Sequence, residues 1–110
     1  NICLQINIDN EESKSGFSPE QALSMAATIA QLPNLRLRGL MAIPRPTANL
    51  AEQQQPFAKL AALQKEINST LDNSEKLDTL SMGMSADLEA AIAEGATIIR
   101  VGTDIFGPRN

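Results

Sequence analysis

Polar and apolar residues alternate through Cys3-Leu4-Gln5-Ile6-Asn7-Ile8, and a period of two predicts a strand at the start of the chain. A polar stretch, DNEESKSG, leads to Ser18-Pro19-Glu20-Gln21. Ser18 as N-cap, Pro19 at the first helical position and Gln21 three residues after the cap predict a helix start. That helix is expected to run to about Leu32, with Leu23, Ala26, Ala27 and Ala30 on one face and Pro33-Asn34 ending it. Leu35 to Ile43 predicts a second strand, with Gly39 inside it and Pro44 closing it. PRPTAN then leads to a long helix that ends near Leu71, its buried stripe marked by Phe57, Leu60, Ile67 and Leu71. Pro56 must lie near its first turn or kink it. Leu77 to Leu80 predicts a third strand, and Ser85 to Glu94 a third helix with Gly95 as its C-terminal stop. Thr97 to Val101 predicts a fourth strand, before a turn-rich tail, GTDIFGPRN.

The predicted order is β-α-β-α-β-α-β, which argues for an α/β fold whose parallel strands are joined by helical crossovers. Two architectures satisfy it: a small open doubly-wound sheet, or part of a (β/α)8 TIM-type barrel. A whole barrel takes about 250 residues, so the 110 residues here would form about half of one as a single domain. The abrupt start on a strand, without Met or lead-in, fits the expectation of a piece of something longer.

Composition removes several function classes. The chain is 43% hydrophobic and 20% charged, with a net charge of −4, and its nine basic residues are scattered. Nucleic acid is therefore not an expected partner, because phosphate backbones are held by clustered Lys and Arg. No apolar run approaches the length of a membrane span, so no membrane association is expected. Cys3 is the single cysteine, which points to a reducing, cytoplasmic setting and, within its alternating run, to simple burial. With no His and no Tyr, chemistry must come from Ser, Thr, carboxylates, Lys, Arg and backbone N–H groups.

The densest chemistry lies in Ser81-Met82-Gly83-Met84-Ser85-Ala86-Asp87, between the third strand and the third helix. In parallel α/β folds the loops after the strands form the functional face. Gly83 permits close backbone approach, Ser81 and Ser85 offer hydroxyls, and helix N–H groups would point at the same spot, which suits an anion such as phosphate. The plainer alternative is that Ser85 caps the helix and Asp87 complements its dipole. Arg100-Val101-Gly102-Thr103 follows the next strand, so its loop is expected beside the first and adds N–H groups, a hydroxyl and a cation. For Arg100 a salt bridge with one of the acids is the alternative.

LSMGMSADLEAAIAEGATIIRVGTDIFGPR, together with GLMAIP at Gly39–Pro44 and KSGF at Lys14–Phe17, resembles the pyridoxal phosphate homeostasis protein family, the YggS/PROSC type. The resemblance spans essentially the whole chain. It implies the C-terminal half of a barrel like that of fold-type III pyridoxal phosphate enzymes, with the alanine racemase N-terminal domain as a distant relative. It implies binding of pyridoxal 5′-phosphate (PLP) in the cytoplasm to buffer or deliver it, possible hand-over to apo PLP-dependent enzymes, and no firm catalytic activity. Ser85 matches the family's phosphate-binding serine, Gly102 and Thr103 its further phosphate contacts, and Arg100 the arginine facing the pyridine nitrogen. Ser81, Gly83 and Met84 line the same turn, and Met41 ends a strand that could reach the ring or belong to the core.

One departure is large. The family's cofactor lysine lies early in its chain, and none of Lys14, Lys59, Lys65 or Lys76 matches it. A half barrel also implies open edges and an apolar inner face, hence association with an N-terminal half or with a second copy. The alternatives are a fragment of a fold-type III racemase or decarboxylase, or a phosphate-binding half barrel unrelated to this cofactor.

Overall fold

The computed structural model describes residues 2–8, 16–44, 47, 49–84 and 87–99. Three parallel strands, β1 (Ile2–Gln5), β2 (Leu37–Ala42) and β3 (Thr79–Met82), form a sheet in the order β1-β2-β3. They alternate with helices α1 (Pro19–Ala30), α2 (Leu50–Asn68) and α3 (Leu88–Ala93). Strands that are consecutive in sequence are neighbours in space, which is the arrangement of a barrel arc. A doubly-wound sheet reverses its strand order only at its switch point, so one half of it shares this arrangement.

The sheet has two unlike faces. Leu4, Leu40 and Leu80 align across the strands and are all buried, as are Ala42 and Met82 one step along. The helices pack against this apolar face, with Phe57, Leu60 and Ile67 of α2 fully buried. Gln5, Met41 and Ser81 form the next cross-strand row on the opposite face and stay half-buried. With Cys3 and Thr79 beside them, this face is mixed in polarity rather than the apolar surface expected of it. Cys3 is exposed, so its expected burial is wrong: its position in β1 falls on the face the helices leave uncovered.

Element boundaries follow from local chemistry. The expected capping box forms at α1: the Ser18 N–H donates to Gln21 Oε1 at 2.9 Å, and the Gln21 N–H to Ser18 Oγ at 3.2 Å. The helix ends at Ala30, and Ala22, Ala26 and Ile29 are its buried residues. Ala27 is exposed and Leu23 and Ala30 only half-buried, because the burial stripe lies about one position from the expected face. At the start of α2, Asn49 Oδ1 accepts from the N–H groups of Ala51 and Glu52. Pro56 lies inside α2, and the helix stops at Asn68, short of Leu71. Ser69 Oγ and Thr70 Oγ1 donate to the Glu66 and Ile67 carbonyls there, taking groups that further helix would need. Asn68 itself bonds both backbone groups of Leu77 and so ties the end of α2 to the approach to β3. Gln64, not flagged by the sequence pattern, is buried on α2, and its Oε1 has no hydrogen-bond partner among the described residues.

β1 is shorter than the expected Cys3–Ile8. Its ladder to β2 closes with the Ile6 N–H donating to Met41 O at 2.8 Å. Beyond that, Phe17 pairs with Ile6 on the outer edge, donating to Gln5 O and accepting from Asn7 N–H at 2.9 Å each. The chain thus covers part of its own first edge. Gly39 is needed between β2 and β3, since a Cβ there would stand 1.7 Å from Thr79 O.

Candidate functional site

The chemistry-bearing turn follows β3, which is displaced by two residues from the expected Leu77–Leu80. Ser81 and Met82 therefore belong to the strand and place the turn at Gly83 onwards. Gly83 is buried with φ +102°, a left-handed conformation that favours glycine. A Cβ on Gly83 would also lie 2.6 Å from Ala91 Cβ and 3.2 Å from Ile99 Cγ2. The glycine that was read as room for a ligand is thus also required for packing against α3 and the following segment.

That segment runs alongside β3. The Met82 N–H donates to Ile98 O at 3.0 Å, while the Thr97 and Ile98 N–H groups reach Leu80 O at 3.0 and 3.2 Å. Thr97 Oγ1 accepts from the Leu80 N–H at 2.8 Å, so a side chain substitutes for one rung of the ladder. The expected strand Thr97–Val101 is seen as a parallel bridge between Ser81 and Ile98, and its last two residues lie outside the described residues. The pairing with Ile98 nevertheless makes the paths leading into the two candidate loops adjacent.

α3 begins at Leu88, not at Ser85. Its residue before the first turn, Asp87, makes no forward capping bond into the helix. The side chain turns back instead: Asp87 Oδ1 accepts from the Met84 N–H at 2.8 Å, and the Asp87 N–H donates to Met84 O at 3.1 Å. Two expectations change. The Met84 N–H is committed to a carboxylate and is not free for an anion, and a six-residue helix headed by an acid lends little dipole to one. The C-terminal stop is as expected. Gly95 has φ +98°, its N–H reaches Ile92 O at 3.1 Å and the Ala96 N–H reaches Ala91 O at 3.0 Å, a Schellman closure.

Of the sequence-predicted site residues, Ser81, Gly83 and Met84 come together at the end of β3, and Met41 lies beside Ser81 across the strand pair. Ser85, Arg100, Gly102 and Thr103 lie outside the described residues. A cavity of about 470 Å³ lies elsewhere, between the entrance of α1 and α2, lined by Glu20, Lys59 and Glu66 among others. Those three charged residues are exposed, and none of the predicted site residues lines it, so the strand-end turn remains the better candidate. No cluster of metal-ligating side chains occurs among the described residues. Among them, no helix is long and apolar enough to cross a membrane.

Parallel strands in consecutive order, with candidate ligand groups gathered at one end, fit a segment of a (β/α)8-type barrel protein, and the family and structural matches make that assignment. The chain belongs to the family described as alanine racemase, N-terminal domain, which matches residues 1–110. Its similarity runs over its whole length to proteins named pyridoxal phosphate homeostasis protein. It is 57% identical to that of Pseudomonas aeruginosa over 110 residues, all of this chain and 45% of the relative. It is 53% identical to that of Haemophilus influenzae, covering 46% of it. The chain therefore spans about half the length of the curated relatives it matches. Among solved structures, PipY of Synechococcus elongatus without PLP superposes with a TM-score of 0.85 at 38% identity, over 96% of this chain and 48% of PipY. The same protein with PLP bound gives 0.81 at 37% identity, with the same coverage.

Proposed function

We propose that this chain is the phosphate-gripping half, the C-terminal one, of a barrel protein that binds pyridoxal 5′-phosphate in the cytoplasm and buffers or delivers it. The observation that carries the reading is the pairing of Ser81 and Met82 with Ile98, which sets two strand-end paths side by side, one continuing in sequence to Ser85 and the other to Arg100, Gly102 and Thr103. The names of the relatives and the cofactor in PipY support the same reading.

The residues at the β3 end fit such a group. Ser81 stands half-buried on the face the helices leave open, and Gly83, at the turn after it, carries no side chain of its own. In this reading Ser81, Gly83, Ser85, Gly102 and Thr103 surround the phosphate, Met84 shapes the turn without lending its N–H, and Arg100 donates to the pyridine nitrogen. The cofactor itself supplies an electrophilic aldehyde and an electron-accepting ring. A guanidinium is a permanent cation with donors only, so it keeps the ring nitrogen unprotonated and weakens carbanion chemistry. That suits a carrier whose cargo passes to apo PLP-dependent enzymes. The remaining half of the barrel, or a second copy, would cover the open sheet face.

Equilibrium titration of the intact protein with PLP and with a sugar phosphate tests this. Clear preference for PLP is expected, and Arg100→Glu should weaken retention and change the absorption of the bound cofactor. Equal affinity for both phosphates would sink the reading. The family description keeps one rival in view, a racemase-type enzyme, and turnover of alanine by the PLP-loaded protein would favour it.

A further inference from the structure

We infer that Gln5 holds the pyridoxal ring: with Met41 and Ser81 it forms a neutral seat for that ring, and its amide hydrogen-bonds the ring's polar edge. The inference rests on the proposed cofactor and deepens that reading with a residue that no motif in the sequence marks.

Gln5, Met41 and Ser81 pair across three neighbouring strands and are all half-buried on the face that the helices leave uncovered. The row stands at the C-terminal ends of the strands: Gln5 is the last residue of β1, and Met41 and Ser81 are the last but one of β2 and β3. In a barrel such positions face the interior, which bulky aliphatic side chains usually fill, and the C-terminal strand ends carry the ligand groups. An amide, a thioether and a hydroxyl stand here instead. Among the described residues, no side-chain hydrogen bond occupies the Gln5 amide or the Ser81 hydroxyl. An enclosed amide without a partner is costly, so in the closed barrel Gln5 needs a polar group to meet it. None of the three residues is charged, and the Arg38–Asp78 pair at the opposite end of the strands balances itself. The row therefore suits an uncharged planar ring with polar substituents rather than a phosphate. Ser81 lies on the strand that runs into the Gly83 turn and marks the phosphate side. Gln5 lies two strand spacings away, about 10 Å, which is comparable with the length of the cofactor. Met41 stands between them, where a thioether packs well against an aromatic ring.

The intact protein is titrated with PLP, with pyridoxal, which lacks the phosphate, and with inorganic phosphate, as wild type and as Gln5→Leu, which keeps the bulk and removes the amide. Loss of one hydrogen bond to the ring should weaken PLP and pyridoxal by the same factor, roughly threefold to tenfold, and leave inorganic phosphate within about twofold. The absorption maximum of bound PLP should move as well, which a residue serving the fold alone would not cause. That shift decides by itself where pyridoxal is too weakly held to titrate. Melting curves establish folding, and should Gln5→Leu not fold, Gln5→Met is read in the same way. Unchanged affinity and absorption, whatever the melting temperature, would make Gln5 a residue of the barrel interior and overturn the inference. A loss confined to PLP and inorganic phosphate would overturn it too, by placing Gln5 at the phosphate. A wild type that binds a sugar phosphate as tightly as PLP would instead defeat the proposed function, a failure visible before any variant is made.

Discussion

Leu4, Leu40 and Leu80 stand in one cross-strand row and are buried; Gln5, Met41 and Ser81 stand in the next row, on the other face, and are not. The same backbone supports both. Side chains alternate with a period of two, so a one-residue slip in register would exchange the rows. The leucine row forbids that slip, and by fixing the register it fixes where Ser81 and the turn after it stand. The helix-covered face specifies the fold, and the opposite face is left free to carry polar groups.

The comparison is broken most severely at Gly39, which sits on the open-face row between Cys3 and Thr79. In Gly39→Ala the new methyl would meet Thr79 O at 1.7 Å, and a backbone atom cannot rotate aside. The loss should be at least about 3 kcal/mol in a denaturant titration, at the upper end of over-packing costs. A loss under about 1 kcal/mol would mean that the strands adjust freely and that the open face constrains nothing.

A matched pair sharpens the contrast between the rows. Leu40 is 0% exposed, and Leu40→Ala should cost about 2–5 kcal/mol through lost transfer energy and a cavity. Ser81→Ala, one position along on the opposite face, should stay within about 0.5 kcal/mol. Equal losses in the two variants would show that both faces are packed interior.

How far the sequence disclosed this arrangement depended on the range of the interactions. Ser18 and Gln21 form their box within one turn, and Gly95 closes its helix within one turn, so both could be read directly. The parallel sheet followed from the order of the elements. What sequence could not supply was the face of each strand that the helices would cover, which left Cys3 on the wrong side. It also could not supply the direction in which Asp87 turns, because forward capping and backward clasping use the same residue at the same position. Gly83 stands out in the sequence, but the lack of room for a Cβ there, against Ala91 and Ile99, depends on the return of a later segment to β3.

The smallest expected effect lies at the other end of the strands, where Asp78 precedes β3. Arg38 Nη2 meets Asp78 Oδ2 at 2.6 Å and its Nε meets Oδ1 at 3.1 Å, with Thr79 Oγ1 donating to Oδ1 at 2.8 Å. The hydrogen bonds from Arg38, then from Thr79, hold the Asp78 carboxyl below the ordinary carboxylate range, and Arg38 is correspondingly raised. A depressed carboxyl stabilises the fold above its unfolded-state value, and that contribution disappears as the pH falls through the lowered folded-state value. Asp78→Asn should therefore lower the melting temperature slightly at neutral pH, and the gap to wild type should close in acid. Both side chains are substantially exposed, at 37% and 56%, so salt should shrink the gap as well. Cys3 offers an independent reading of the same charge. Partial burial raises its thiol pKa most, Arg38 opposes that and Asp78 adds to it. Removing the Asp78 charge should leave Arg38 unopposed and make Cys3 react somewhat faster with a thiol reagent near neutral pH. A melting gap that ignored both pH and salt, with an unchanged thiol rate, would mean that the pair acts by shape alone.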